Sequence, residues 1–132
     1  MCRVTRYRHV QDVCWNTAHV EILDFPREAA APIDRFESQG ATVNRLASVQ
    51  GAGAVAVIRL EARGVIGRHP AVNTQLFVVV EGVGFVSGED AIEVPIEQGQ
   101  AALWRAGESH ESRTDVGLTA IVIETEQVGR VS

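Results

Sequence analysis

The sequence predicts an all-β fold, a sandwich or barrel of many short strands, and two observations carry that prediction. Glycine punctuates the chain from Gly40 onward, at Gly51, Gly53, Gly64, Gly67, Gly82, Gly84, Gly88, Gly99, Gly107 and Gly117. Between these marks lie short segments rich in Val, Ile, Leu and Ala, the pattern of strands bounded by turns rather than of helices. At 132 residues the chain has the length of one domain and can bury a core of its own.

Met1 to Val20 carries Val10, Val13 and Ala18 at a spacing too sparse for an amphipathic helix, so residues 1–20 are expected to be an arm ahead of one barrel at residues 21–132. Phe25-Pro26-Arg27-Glu28-Ala29-Ala30-Ala31-Pro32 has room for a single helical turn, because proline is tolerated at a helix start and stops one from continuing. In AVAVIRLE, Ala54 to Glu61, side chains alternate: Ala56, Ile58 and Leu60 take one face and Val57, Arg59 and Glu61 the other. QLFVVV, Gln75 to Val80, is apolar on both faces and reads as a central strand covered on both sides. Gly84 to Ile96 reads as a hairpin turning near Ser87-Gly88-Glu89-Asp90, where small and polar residues tolerate turn dihedrals. Gly99 to Ser112 repeats strand, turn and strand, and LTAIVIET, Leu118 to Thr125, closes the set.

The hydrophobic share of 45% and charged share of 22% are those of an ordinary globular protein. A net charge of -5 argues against binding a phosphate backbone, which needs clustered Lys and Arg, so no nucleic acid partner is expected. No apolar run approaches a bilayer's thickness and MCRVTRYRHVQDVCW lacks the apolar region of a secretory signal, which points to the cytoplasm and to no membrane partner. Cys2 and Cys14 are then expected to be reduced thiols. With His9 and His19 they fit no zinc-finger spacing.

The placement of His69, Gln75 and His110 among these glycines resembles the cupin family of small β-barrels. That family's first motif runs Gly, five residues, His, one residue, His, three or four residues, Glu, six residues, Gly. Here Gly64 lies one place late, His69 fits the first histidine, Ala71 stands where the second belongs, Gln75 replaces the glutamate and Gly82 fits. The second motif runs Gly, five residues, Pro, one residue, Gly, two residues, His, three residues, Asn. Gly99, Gly107 and His110 fit it, with Arg105 in the proline place and Thr114 in the asparagine place. The two motifs cover Gly64 to Thr114, and flanking strands extend the likeness over roughly residues 40 to 126.

The resemblance implies a flattened β-barrel of jelly-roll, or double-stranded β-helix, form. It also implies a divalent transition metal, Zn, Ni, Cu, Mn or Fe, with His69, Gln75 and His110 as candidate ligands. Such a set carries no ligand charge, so the ion would keep its own and favour an anionic or enolisable oxygen donor. Phe77 and Val79 share parity with Gln75 and line the cavity or fill the core below it. Trp104 is a pocket wall or a subunit contact, and Arg68 and Arg105 flank the motifs on turns where a substrate carboxylate would reach them. Glu108, in a turn, and Glu111, alternating with His110, are weaker substitutes for the missing ligand.

Three functions are consistent with these residues, two of them built on a working pocket. One is a metal-dependent isomerase, cyclase or oxygenase acting on a small organic molecule. The other is a binding or sensing module whose metal-free pocket holds a metabolite; an accessory subunit with no working pocket is a third. A homodimer is expected, because Val78 and Val80 face away from Gln75 and need apolar cover, which Tyr7 and Trp15 of the arm would supply in cis or in trans.

Overall fold

The computed structural model describes residues 20–130. The expectations for the arm, Cys2, Cys14, Tyr7 and Trp15 lie outside those residues. Ten strands run in chain order: β1 (Glu21–Asp24), β2 (Ala31–Pro32), β3 (Thr42–Val43), β4 (Ala47–Leu60), β5 (Val65–Pro70), β6 (Thr74–Ser87), β7 (Val94–Glu97), β8 (Gln100–Trp104), β9 (Ser109–Arg113) and β10 (Leu118–Arg130). The expected helical turn is a 3-10 turn at Arg27–Ala29, entered from Pro26.

One layer is ordered β1-β8-β6-β10-β4, with every neighbouring pair antiparallel. The facing layer is built from β5, β9 and β7 with the second half of β6. Strand β6 belongs to both layers. Its first half pairs with β8 and β10, and beyond Gly82 it pairs with β7 and β9. Gly82 marks the corner for a steric reason: its φ is 84°, and a Cβ there would stand 2.3 Å from the carbonyl oxygen of Gly117.

Alternation along β6 divides the core into two. Phe77 and Val79 point inward, where they meet Ala102 and Trp104 of β8 and Ala120 and Val122 of β10. Leu76 and Val78 point outward and pack with Ala101 and Leu103, under Phe25, Leu46, Ala47 and Val128. The cover that Val78 needed therefore comes in good part from within the chain. Val80 stays 40% exposed, as do Val55 at 71% and Val57 at 52% on β4.

The hairpin expected between Gly84 and Ile96 is β6–β7, with Val86 opposite Val94. The segment from Gly99 to Ser112 forms two strands joined by a turn, but they are not partners of each other. Strand β8 pairs with β1 and β6, and β9 with β5 and β6, so the turn carries the chain from one layer to the other.

Candidate functional site

His69 and His110 are cross-strand partners on β5 and β9. Between Ile66 and His69 the register slips against Ser112 and His110, a bulge that inserts one extra residue on β5. A bulge re-aims the side chains beyond it, and here it sets the His69 ring 4.4 Å, centroid to centroid, from that of His110. His69 is exposed, whereas His110 is 2% exposed with its ring 4.4 Å from that of Trp104.

Each imidazole is held by a backbone carbonyl two residues upstream. The His69 Nδ1 lies 2.7 Å from the Gly67 oxygen and the His110 Nδ1 lies 3.2 Å from the Glu108 oxygen. A carbonyl oxygen only accepts, so each Nδ1 carries a proton and donates it, and in the neutral ring the lone pair is left on Nε2. Burial is the largest effect on His110 and holds its pKa below the ordinary histidine value, with the nearby His69 and Arg68 pushing the same way. His110 is neutral at pH 7.

Gln75 opens β6 on the same inner face as Phe77 and Val79 and is 9% exposed. Its neighbours in the sheet are Trp104 on β8 and Glu124 on β10. Glu124 shares inward parity with Ala120 and Val122, which fall opposite Val79 and Phe77. Beyond it on β4 stands Ala54. The end of the barrel thus presents a row of Ala54, Glu124, Gln75 and Trp104, and the imidazole of His110 lies against the indole. Glu124 is a carboxylate on this face that the motif comparison passes over. The alternation of LTAIVIET would have found it, because Leu118, Ala120, Val122 and Glu124 share one face and the last is a carboxylate.

Glu108 sits in the turn between β8 and β9. Its Oε1 accepts the Arg105 backbone N–H at 2.9 Å, and its Oε2 is buried with no partner among the described residues. Desolvation, aided by the charges of Glu21 and Glu89, raises its pKa to about 7. The same turn clasps Ala71, whose N–H donates to the Glu108 oxygen and whose oxygen accepts from Gly107. At the place of the second motif histidine, then, stands a small buried residue locked by its backbone.

The remaining candidates lie as follows. Trp104 is fully buried and donates its indole N–H to the Ser87 oxygen at 3.2 Å, so it forms an inner wall of the barrel. Phe77 and Val79 are fully buried core, Phe77 packed edge-on against Trp104. Arg68, in the β5 bulge, is held by the Gly88 oxygen and the Ser87 hydroxyl beside the histidines. The structure does not bring the Arg105 side chain to the histidines: it reaches Glu21 at 3.5 Å and lines a separate groove with Ser48, Gln50 and Gln127.

The pair fits a divalent ion in one respect and falls short in another. Anchoring Nδ1 to a carbonyl is the outer-sphere arrangement that orients a metal-binding imidazole and leaves Nε2 for the ion. Among the described residues, however, no three His, Cys, Asp or Glu side chains converge as a metal-binding group. Gln75, at the ligand position that the family likeness implies, lies beside Trp104 in the sheet, and the indole in turn lies against His110.

No family model and no curated protein matches the chain. Solved structures do. A cupin superfamily protein from Desulfitobacterium hafniense superposes with a TM-score of 0.53 at 11% identity, over 79% of this chain and 96% of that one. A conserved protein with a double-stranded β-helix domain from Klebsiella pneumoniae gives 0.51 at 16% identity, over 70% and 80%. The polyketide cyclase RemF from Streptomyces resistomycificus gives 0.52 at 16% identity, and the match covers 63% of each chain, under two thirds of the cyclase. Identities this low speak to the fold alone. With its two antiparallel layers and the shared strand β6, the chain has the cupin fold, a double-stranded β-helix.

Proposed function

We propose that the protein binds a divalent transition metal and a small organic molecule where the His69 and His110 rings meet, with Gln75 as the third ligand. The observation that carries this reading is the matched anchoring of the two imidazoles, each with Nδ1 on a carbonyl and Nε2 unspent. A carbonyl partner satisfies the Nδ1 of any buried histidine; what supports the metal reading is that both rings carry it while their centroids lie 4.4 Å apart. A bound ion would polarise an oxygen donor or stabilise an enolate. The reaction class we assign is isomerisation, cyclisation or oxygenation of a small metabolite; one structural neighbour is a polyketide cyclase. Buried Trp104 supplies an apolar wall, and Arg68 a fixed cation suited to an anionic group.

A second reading, a metal-free binding or sensing pocket, is favoured by Ala71 and by the absence of a third convergent ligand among the described residues. Metal analysis of untagged protein, followed by titration of the stripped protein with Zn, Ni, Cu, Mn and Fe(II), separates the two. Binding near one ion per chain, lost in His110→Ala, supports the first; no binding leaves the second.

The assembly we propose is a homodimer. Strand β4 ends its layer, with no strand on its far side among the described residues, and Val55, Val57 and Val80 remain open. Among the described residues no helix is long and apolar enough to cross a membrane. We place the protein in the cytoplasm.

A further inference from the structure

We infer that two copies of the chain pair along β4, antiparallel and about a two-fold axis at Ala56, so that the sheet of one barrel runs on into the sheet of the other. The inference rests on the homodimer reading and names the interface that would make it.

The state of β4 is the first support. It ends its layer, and from Gly53 to Leu60 it holds β10 on one side without a slip, which leaves eight residues, about 25 Å, of edge with no strand beyond it among the described residues. Folded chains ordinarily guard such an edge with charge, proline or a bulge. Here Val49 to Ile58, VQGAGAVAVI, holds no charge and no proline, and the slip in the β4–β10 ladder lies ahead of Gly53. Both faces of the strand are open as well: Ala54 and Ala56 on the inner side are exposed, together with Val55 and Val57 on the outer.

Self-complementarity selects a second copy as the occupant. A two-fold axis normal to the sheet sets outer face beside outer face, so odd-numbered residues oppose odd-numbered ones. With the axis at Ala56, Val55 stands opposite Val57 of the second copy, twice over, and Ile58 covers the exposed Ala54 on the inner side. Such β-branched cross-strand pairs stabilise a sheet. Half-buried Ile121 and Ile123, the β10 neighbours of Val57 and Val55, continue the apolar strip on both sides of the axis. At the ends of the paired segment Arg59 meets Gly53 of the second copy, where no side chain obstructs it. The Glu126 carboxylate sits two residues further along that edge, in the space that a Cβ on Gly51 would fill. Neither Arg59 nor Glu126 has an ion pair among the described residues, so each complements the other across the axis. Antiparallel pairing also turns the histidine ends of the two barrels away from each other, so each site opens at its own end of the dimer.

The test is sedimentation of the full chain over a micromolar range, beside hydrogen exchange of the β4 amides. The native chain is expected to form a dimer in which amides between Gly53 and Arg59 exchange more slowly than they do after dilution to monomer. Val55→Lys and Val57→Glu are each expected to weaken association about 100-fold. The two together are expected to recover to within about 10-fold of the native chain, because each introduced charge then faces its opposite in the second copy. Val49→Lys changes a residue as exposed as Val57 but outside the paired segment, and is expected to leave the dimer intact. A double variant no better than the single ones, a Val49→Lys chain that dissociates as they do, or β4 amides that exchange alike in dimer and monomer overturns the inference and leaves a dimer formed by another surface. Amides already protected in the monomer also overturn it and assign the edge to residues 1–19 of the same chain. A native chain that stays monomeric at high micromolar concentration overturns the homodimer reading itself and is a distinct result. Unfolding curves show that each variant is folded before its association is read.

Discussion

His69 and His110 face each other across the β5–β9 ladder with ring centroids 4.4 Å apart, and each donates from Nδ1 to the carbonyl two residues before it. The bulge on β5 supplies one of those carbonyls, Gly67, and the turn before β9 the other, Glu108. Two irregular backbone segments therefore aim two regular side chains at one place.

Gln75 tests whether that place holds an ion. Gln75→Glu is expected to tighten divalent binding by adding negative charge beside the imidazoles, and Gln75→Leu to weaken it. A hydrogen-bonded pocket without metal predicts the opposite penalty, since an unpaired carboxylate would enter a position only 9% exposed and lower the melting temperature. Titration beside thermal unfolding of both variants decides between them.

Stability should depend on pH in two opposed ways. The folded-state pKa of Glu108 lies at about 7, above its ordinary value, so its contribution is full at acid pH and is lost as pH rises through about 7. His110 is depressed, so its contribution is present above the ordinary histidine pKa and is lost as pH falls through the lowered value. Glu108→Gln keeps an acceptor for the Arg105 N–H and never ionises. In chelator-treated protein it is expected to gain about 2 kcal/mol over the native chain at pH 8 and almost nothing at pH 4.5. Equal effects at both pH values would show that the buried charge is not the cause.

Thr114 occupies the asparagine place of the second motif, and its hydroxyl is a turn anchor. It donates to the Val83 oxygen at 2.6 Å and accepts from the Gly117 N–H at 2.9 Å and, more weakly, from Val116. Thr114→Val keeps the shape and strands three backbone groups. A loss of about 2–3 kcal/mol in denaturant unfolding is expected, with Thr114→Ser recovering most of it. An unchanged midpoint for the valine variant would mean that water takes over these bonds.

The exposed outer face should govern assembly. Sedimentation of the native chain is expected to give a dimer at micromolar concentration, and Val57→Glu, on the open strand β4, to give a folded monomer. A native chain that sediments as a monomer at high micromolar concentration removes the dimer. Deletion of residues 1–19 then asks whether the arm takes part.

By itself the sequence determined the all-β class and the faces of its most apolar strands. Side chains alternate along a strand whatever lies beside it, so Phe77 and Val79 could be assigned to one face and Leu76 and Val78 to the other from QLFVVV alone. It did not mark the corner: Gly82 was one glycine among many, and only the folded chain shows its positive φ and the crowding by Gly117 that exclude a side chain there. Tertiary structure alone decided which strands became neighbours. Closing a longer loop costs only slightly more entropy than closing a short one, so adjacency in the chain did not oblige β8 to pair with β9 across their turn. Each found partners elsewhere. The pairing of β6 with β10 is equally non-local, and it is what puts Glu124 beside Gln75, 49 positions apart in the chain. The slip on β5 that turns His69 toward His110 depends on the strand it lies against, because a bulge exists only relative to a partner.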